Sequence, residues 1–145
     1  MPSPEGDDVV TTEPVPDLYL SLLLTMVESG ESVTSMSVTL GMTSGVISGD
    51  LVSRDTWKSL WTETVLTRAN ADAGSMGLFP DTADRLFRQA REDAGTEDGS
   101  ERHGPRFVHL KDVTLFVPGV SPVGLPFWRG RLSEVSGWTI GKLGV

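Results

Sequence analysis

The chain has no cysteine in its 145 residues. That excludes a disulfide framework, a thiolate nucleophile and a cysteine-based zinc site, and it is compatible with a reducing cytoplasm. Histidine is scarce too. Only His103 and His109 are present, without the paired spacing that a metal site needs. Long apolar runs are also missing. The longest, Leu22–Leu24 within Leu18–Val27, falls far short of the ~20 residues of a membrane-spanning helix. Positive charge is limited, with 12 Lys and Arg against 20 Asp and Glu, a net charge of −8 and a pI near 4.6. Neutralising phosphates takes an excess of Lys and Arg, so neither nucleic acid nor an anionic membrane is the expected partner. The stretch Met1–Asp8 is acidic and lacks the basic segment of a secretory signal. A soluble protein is expected.

The usual catalytic arrangements are missing as well. Ser44-Gly45 and Gly119-Val120-Ser121 lack the flanking glycines and strand-to-helix setting of a nucleophile elbow. Gly41–Gly45 lacks the Lys-Ser/Thr of a phosphate-binding loop. His109 reads as a surface or half-buried strand residue beside Lys111, and His103 as a loop residue. The expectation is a non-enzymatic protein with no cofactor and no metal.

What is present has the size of one domain, rich in turns, with 16 Gly and 9 Pro. Residues 1–16 are acidic and contain four prolines, the composition of a disordered tail. Residues 17–145 form a single α+β domain in this reading. Asp17 caps a helix over Leu18–Glu28, with Leu18, Leu22 and Met26 at helical spacing, Tyr19, Leu23 and Val27 widening the stripe, and Gly30 ending it. Met36, Val38 and Leu40 then alternate with Ser35, Ser37 and Thr39, a strand with one buried face. Gly41–Gly45 makes a turn and Val46–Ser53 returns as a second strand, with Gly49 marking a bend or bulge.

Residues 54–105 read as a helical insertion followed by a flexible loop. Trp57, Leu60, Trp61, Thr64 and Val65 share one helix face, with Asp55 placed to cap its start. Pro80 and Asp81 begin a second helix on which Ala83, Leu86, Phe87 and Ala90 share a face, and Arg91–Gly104 is a charge-rich loop. Phe107–Val117 reads as a strand buried on both faces. Pro118 to Pro126 is a long turn, Phe127–Val135 a strand, Ser136-Gly137 a tight turn and Trp138–Leu143 a last strand.

Charge is split along the chain. Residues 106–145 carry five basic side chains (Arg106, Lys111, Arg129, Arg131, Lys142) against two acids, and the rest carries seven against eighteen. An uneven field of this kind steers partners or favours self-association at low salt. Trp57 and Trp61 are most simply core anchors of their helix. Trp128 and Trp138 are most simply a cross-strand pair over a tight turn. The functional reading makes Trp128, Arg129, Arg131, Glu134 and Trp138 a contact face, with Trp57 and Trp61 as a second docking surface, because Trp and Arg are enriched where proteins bind one another.

Two resemblances attach to these residues. Val38-Thr39-Leu40, Val46–Ser53, Phe107–Val113, Pro118-Gly119 and the ordered tail Phe127–Leu143 together resemble the gas vesicle accessory protein U family. That resemblance implies a non-enzymatic cytoplasmic protein acting on assembled gas vesicles, in their clustering or assembly state. Its implied partners are the vesicle shell or other gas vesicle proteins, and other copies of itself as a homo-oligomer. The order of helix, bent strand pair, Val108–Val113 and Phe127–Leu132 also resembles Sm-like RNA-binding barrels. An insertion of about fifty residues and the sequence Arg106–His109 depart from that pattern, so the likeness serves architecture, with RNA binding as the competing function. The expected fold is therefore a small antiparallel five-stranded β-barrel of SH3/Sm-like type, with an N-terminal helix and a helical insertion between strands 2 and 3.

Overall fold

The computed structural model describes residues 17–30, 35–68, 76–94 and 105–143. Helix α1 spans Leu18–Ser29. The Asp17 side chain accepts from the Leu20 amide at its start, and Gly30, at φ 70°, closes it by donating to Met26 and Val27 carbonyls. Both ends thus stop where the sequence supplies an oxygen acceptor and a left-handed glycine. Strands β1 (Met36–Met42) and β2 (Gly45–Leu51) form the expected hairpin.

Helix α2 (Arg54–Arg68) and helix α3 (Phe79–Ala94) follow. Ser53, expected to end a strand, caps α2 in place of Asp55: its hydroxyl accepts from the Thr56 amide at 3.1 Å. A short side-chain oxygen one residue before the helix reaches that orphan amide, whereas Asp55 already lies inside the first turn. Strand β3 (Phe107–Phe116), strand β4 (Val123–Arg131), a 3₁₀ turn (Leu132–Glu134) and strand β5 (Val135–Ile140) complete the order.

The strands make one antiparallel five-stranded sheet in the order β4-β3-β2-β1-β5. The expected closed barrel is corrected to an open sheet, because β4 and β5, adjacent in sequence, occupy its two edges. The turn at Leu132–Glu134 carries the chain from one edge to the other. It is anchored by the buried Leu132, whose amide donates to the Arg106 carbonyl at 2.8 Å. The boundaries of the tail move for related reasons. Pro126 lies inside β4 rather than in a turn, which an edge strand tolerates because a strand there has no neighbour on its outer side. Ser136 and Gly137 lie inside β5, and Gly137 pairs with Gly41 of β1. The expected bulge at Gly49 is present as a register shift between Ser48 and Asp50. A Cβ at Gly49 would stand 3.0 Å from the Lys111 carbonyl, so glycine lets β2 and β3 approach there. The tail 1–16 lies outside the described residues; of the loop expected over Arg91–Gly104, residues 91–94 instead continue α3, and 95–104 lie outside the described residues.

The two faces of the sheet differ. One carries Val38, Leu40, Ile47, Leu51, Val108 and Leu110, fully or almost fully buried against Leu20, Leu24 and Val27 of α1. On the other face α2 packs across β3 and β4, while β1 and β2 bear a polar network. There Thr39 shares a hydrogen bond with Ser48 (2.7 Å) and donates to the Gly141 carbonyl (2.7 Å), the Leu143 amide donates to Ser48 (3.0 Å), and Lys142 lies 3.3 Å from Asp50. The segment after β5 therefore lies across β1 and β2.

Candidate functional site

Where α2 meets β3 and β4, aromatic rings converge. Trp57 stacks at 5.7 Å from Trp61, meets His109 at 5.4 Å and stands edge-on to Phe127 at 5.5 Å. Trp61 adds Phe79 at 5.7 Å and Phe127 at 5.9 Å. These tilted and edge-on geometries suit the ring quadrupole. The i, i+4 spacing of the two tryptophans puts both on the sheet-facing side of α2, as helical periodicity requires. Trp61 Nε1 donates to the Met76 carbonyl at 2.8 Å and Thr62 to the Gly77 carbonyl at 2.9 Å, which ties α2 to the approach of α3. Trp57 Nε1 is buried with no hydrogen-bond partner among the described residues.

Beneath these rings lies His109, 5% exposed. Pairing of His109 with Arg129 across β3 and β4 brings the guanidinium alongside. Arg129 Nε donates to His109 Nε2 at 3.1 Å, and its guanidinium carbon sits 3.8 Å above the Phe107 ring. Burial, with the Arg129 and Arg54 charges adding to it, pulls the His109 pKa down to about 4. The imidazole is thus neutral near pH 7, with Nε2 as acceptor and its proton on Nδ1. On the outer side of α2, Lys58 bridges Asp81 (2.8 Å) and Asp84 (3.0 Å), and Arg54 reaches Asp84 at 3.2 Å. Hydrogen bonds to Asp81 and Asp84 raise the Lys58 pKa. Burial works to raise that of Asp84, but Lys58 and Arg54 leave it lowered. Among the described residues no group of three or more His, Asp or Glu is placed to hold a metal ion, and no helix is long and apolar enough to cross a membrane.

The seven residues singled out from sequence do not share one surface. Trp57 and Trp61 are half-buried in the α2 interface. Trp128 and Trp138 each pack against the core from opposite sheet edges, opposite Leu110 and Leu40 respectively, so the expected cross-strand pair over a tight turn is not formed. Trp128 lies over Gly130, where any Cβ would collide with its ring. Arg129 is engaged with His109 and Phe107, while Arg131 and Glu134 are exposed near the corner between β4 and β5.

The exposed apolar surface lies elsewhere. On α1, Leu18 (77% exposed), Tyr19 (80%), Leu22 (59%) and Met26 point away from the core. On α3, Leu86 (56%) and Phe87 (64%) do the same. Sequence periodicity found both stripes, but apolar residues cover most of α1, leaving only a narrow polar side at Ser21, Thr25 and Glu28, and spacing alone cannot say which apolar side the sheet takes. The signal that resolves it is the phase of the buried set Leu20, Leu24 and Val27.

No curated protein and no solved structure matches the chain. A family described as "Gas vesicle protein GvpU-like" does match, over residues 17–143. That span runs from the cap of α1 through all five strands to the segment crossing β1 and β2. The chain belongs to the gas vesicle protein GvpU-like family.

Proposed function

We propose that the protein acts on assembled gas vesicles in the cytoplasm, holding them in clusters through protein–protein contacts rather than by catalysis. The observation that supports this reading is the uncovered apolar surface on α1 and α3, Leu18, Tyr19, Leu22 and Met26 on one helix and Leu86 and Phe87 on the other. Bringing particles together takes at least two adhesive faces per linking unit, and contiguous apolar surface on a small protein marks a contact site. Arg131 and Glu134, exposed near the β4–β5 corner, supply a further polar contact. The aromatic layer of Trp57 and Trp61 holds α2 and α3 in place for the task.

The test is co-flotation of purified protein with buoyant vesicles, scored together with vesicle clustering by light scattering. Protein that floats with the vesicles and raises their scattering supports the reading. Protein left in the infranatant while the vesicles stay dispersed sinks it.

A further inference from the structure

Helices α2 and α3 form an insertion outside the core of the fold. They lie between β2 and β3, which pair with each other directly in the sheet. The core cluster draws its buried residues from α1, β1, β2, β3 and Leu132, and among the described residues none comes from 54–94. We infer that α2 and α3 form a flap that lifts off β3 and β4 as one unit, and that proton uptake by His109 opens it.

The flap is tied to itself by polar links. Lys58 bridges Asp81 and Asp84, Arg54 reaches Asp84, Trp61 Nε1 donates to the Met76 carbonyl and Thr62 to the Gly77 carbonyl. Against the sheet, by contrast, α2 sets rings: Trp57 rests on His109 and Phe127, and Trp61 on Phe127. The residues of α2 on this side, Trp57, Leu60, Trp61, Thr64 and Val65, are half-buried, whereas Leu20, Leu40, Leu51 and Leu110 on the α1 side have no exposure. Elements with fewer buried apolar contacts open at lower free energy than the core. The hinge is the start of α2, where the Glu28 carboxylate accepts from the Arg54 amide at 2.7 Å and the Ser53 hydroxyl from the Thr56 amide at 3.1 Å.

Two features of the seam favour its opening. Trp57 Nε1 is buried there without a hydrogen-bond partner among the described residues, and water satisfies that donor once the flap lifts. His109, for its part, is buried beside cations. The charged groups on its side of the sheet are Lys111 of its own strand, Arg129 and Arg131 of β4 and Asp50 of β2, with Arg54 of α2 and Asp84 of α3 facing it from the flap. Arg129 Nε already takes the imidazole lone pair. Burial, with Arg129 and Arg54 adding to it and Asp84 opposing, pulls the His109 pKa down to about 4. Lifting the flap returns the ring to water and its pKa toward about 6.5. The closed state is therefore at full strength above about pH 6.5 and loses ground as pH falls toward 4. Against the effect of burial, Lys58 and Arg54 hold the Asp84 pKa low, so the tie between α2 and α3 persists where His109 charges. The two helices leave together, baring Trp57, Trp61 and Phe127.

Native-state hydrogen exchange on the full chain tests the flap at about pH 7 and about pH 5, with rates corrected for the intrinsic effect of pH. Peptides from α2 and α3 should share one opening constant, larger than that of β1 and β2 at both pH values. Between those two pH values it should rise by up to about twentyfold, as pKa values of about 6.5 open and about 4 closed require. His109→Gln should remove most of that rise, with an unchanged circular dichroism spectrum at pH 7. Titration of the unsubstituted chain by nuclear magnetic resonance gives a second readout that needs no substitution: the His109 imidazole should take up its proton over the pH range in which α2 and α3 lose protection. Four results overturn the inference: α2 and α3 exchanging no faster than β1 and β2, an opening constant that ignores pH, a folded His109→Gln variant that keeps the rise, or an imidazole that titrates while the flap stays protected. None of these measurements involves vesicles, so the flap and the clustering reading stand or fall separately.

Discussion

Protonation of His109 removes the lone pair that accepts from Arg129 Nε and sets two cations side by side under the Trp57 ring. With a folded pKa near 4 and an unfolded value of about 6.5, the unfolded chain binds more protons throughout that interval. Stability therefore falls as pH drops from about 6.5 toward 4, by about 3 kcal/mol from this one group at the lower end. His109→Gln keeps a side-chain acceptor but cannot take the proton. Urea denaturation of this variant should give a flatter dependence of stability on pH between about 4 and 6.5. A second expectation concerns Gly130, where a methyl group would occupy the space of the Trp128 ring. Gly130→Ala should cost about 1–3 kcal/mol, the range for overpacking, with a changed near-ultraviolet circular dichroism signal from the displaced indole. The sequence showed both residues but not their setting. His109 reads as a surface or half-buried strand residue and is in fact buried, because its partner comes from twenty residues later and arrives only through the β3–β4 register.

At the scale of the element, α1 separates two roles that its composition blends. Leu20 and Leu22 are two positions apart, yet Leu20 has no exposure and Leu22 is mostly exposed. Leu20→Ala should cost about 2–5 kcal/mol, as for a buried leucine. Leu22→Ala should change stability by less than about 0.5 kcal/mol. Thermal or chemical melts of the pair measure the contrast directly. The extent of α1 was legible because Asp17 and Gly30 mark its ends by local chemistry. Its orientation was not, since apart from a narrow polar side at Ser21, Thr25 and Glu28 the helix offers apolar residues in every other direction. In the same way the hairpin of β1 and β2 followed from alternation, whereas Pro126 suggested a turn until β4 proved to be an edge strand. The α2 face was read correctly from Trp57, Leu60, Trp61, Thr64 and Val65, all of them half-buried.

For the whole molecule, the division of charge along the chain is less available to partners than the sequence suggests. Arg129 is engaged with His109 and Phe107, and Lys142 with Asp50. Vesicle clustering by this protein should therefore persist as salt rises toward about 1 M, where the screening length is ~3 Å. Loss of clustering over that range in a light-scattering titration would instead assign the contact to exposed charge. The strand count was legible in the sequence and the openness of the sheet was not, because closure depends on where β5 lands. It lands beside β1, so that Thr39 finds its acceptor at Gly141, 102 positions away. This has a cost during synthesis. Contacts of such separation form slowly, on the millisecond-to-second scale of non-local β topologies. Until β5 emerges from the ribosome, one edge of the uncharged β1 strand, Met36–Met42, waits unpaired and open to the nascent chain on the next ribosome.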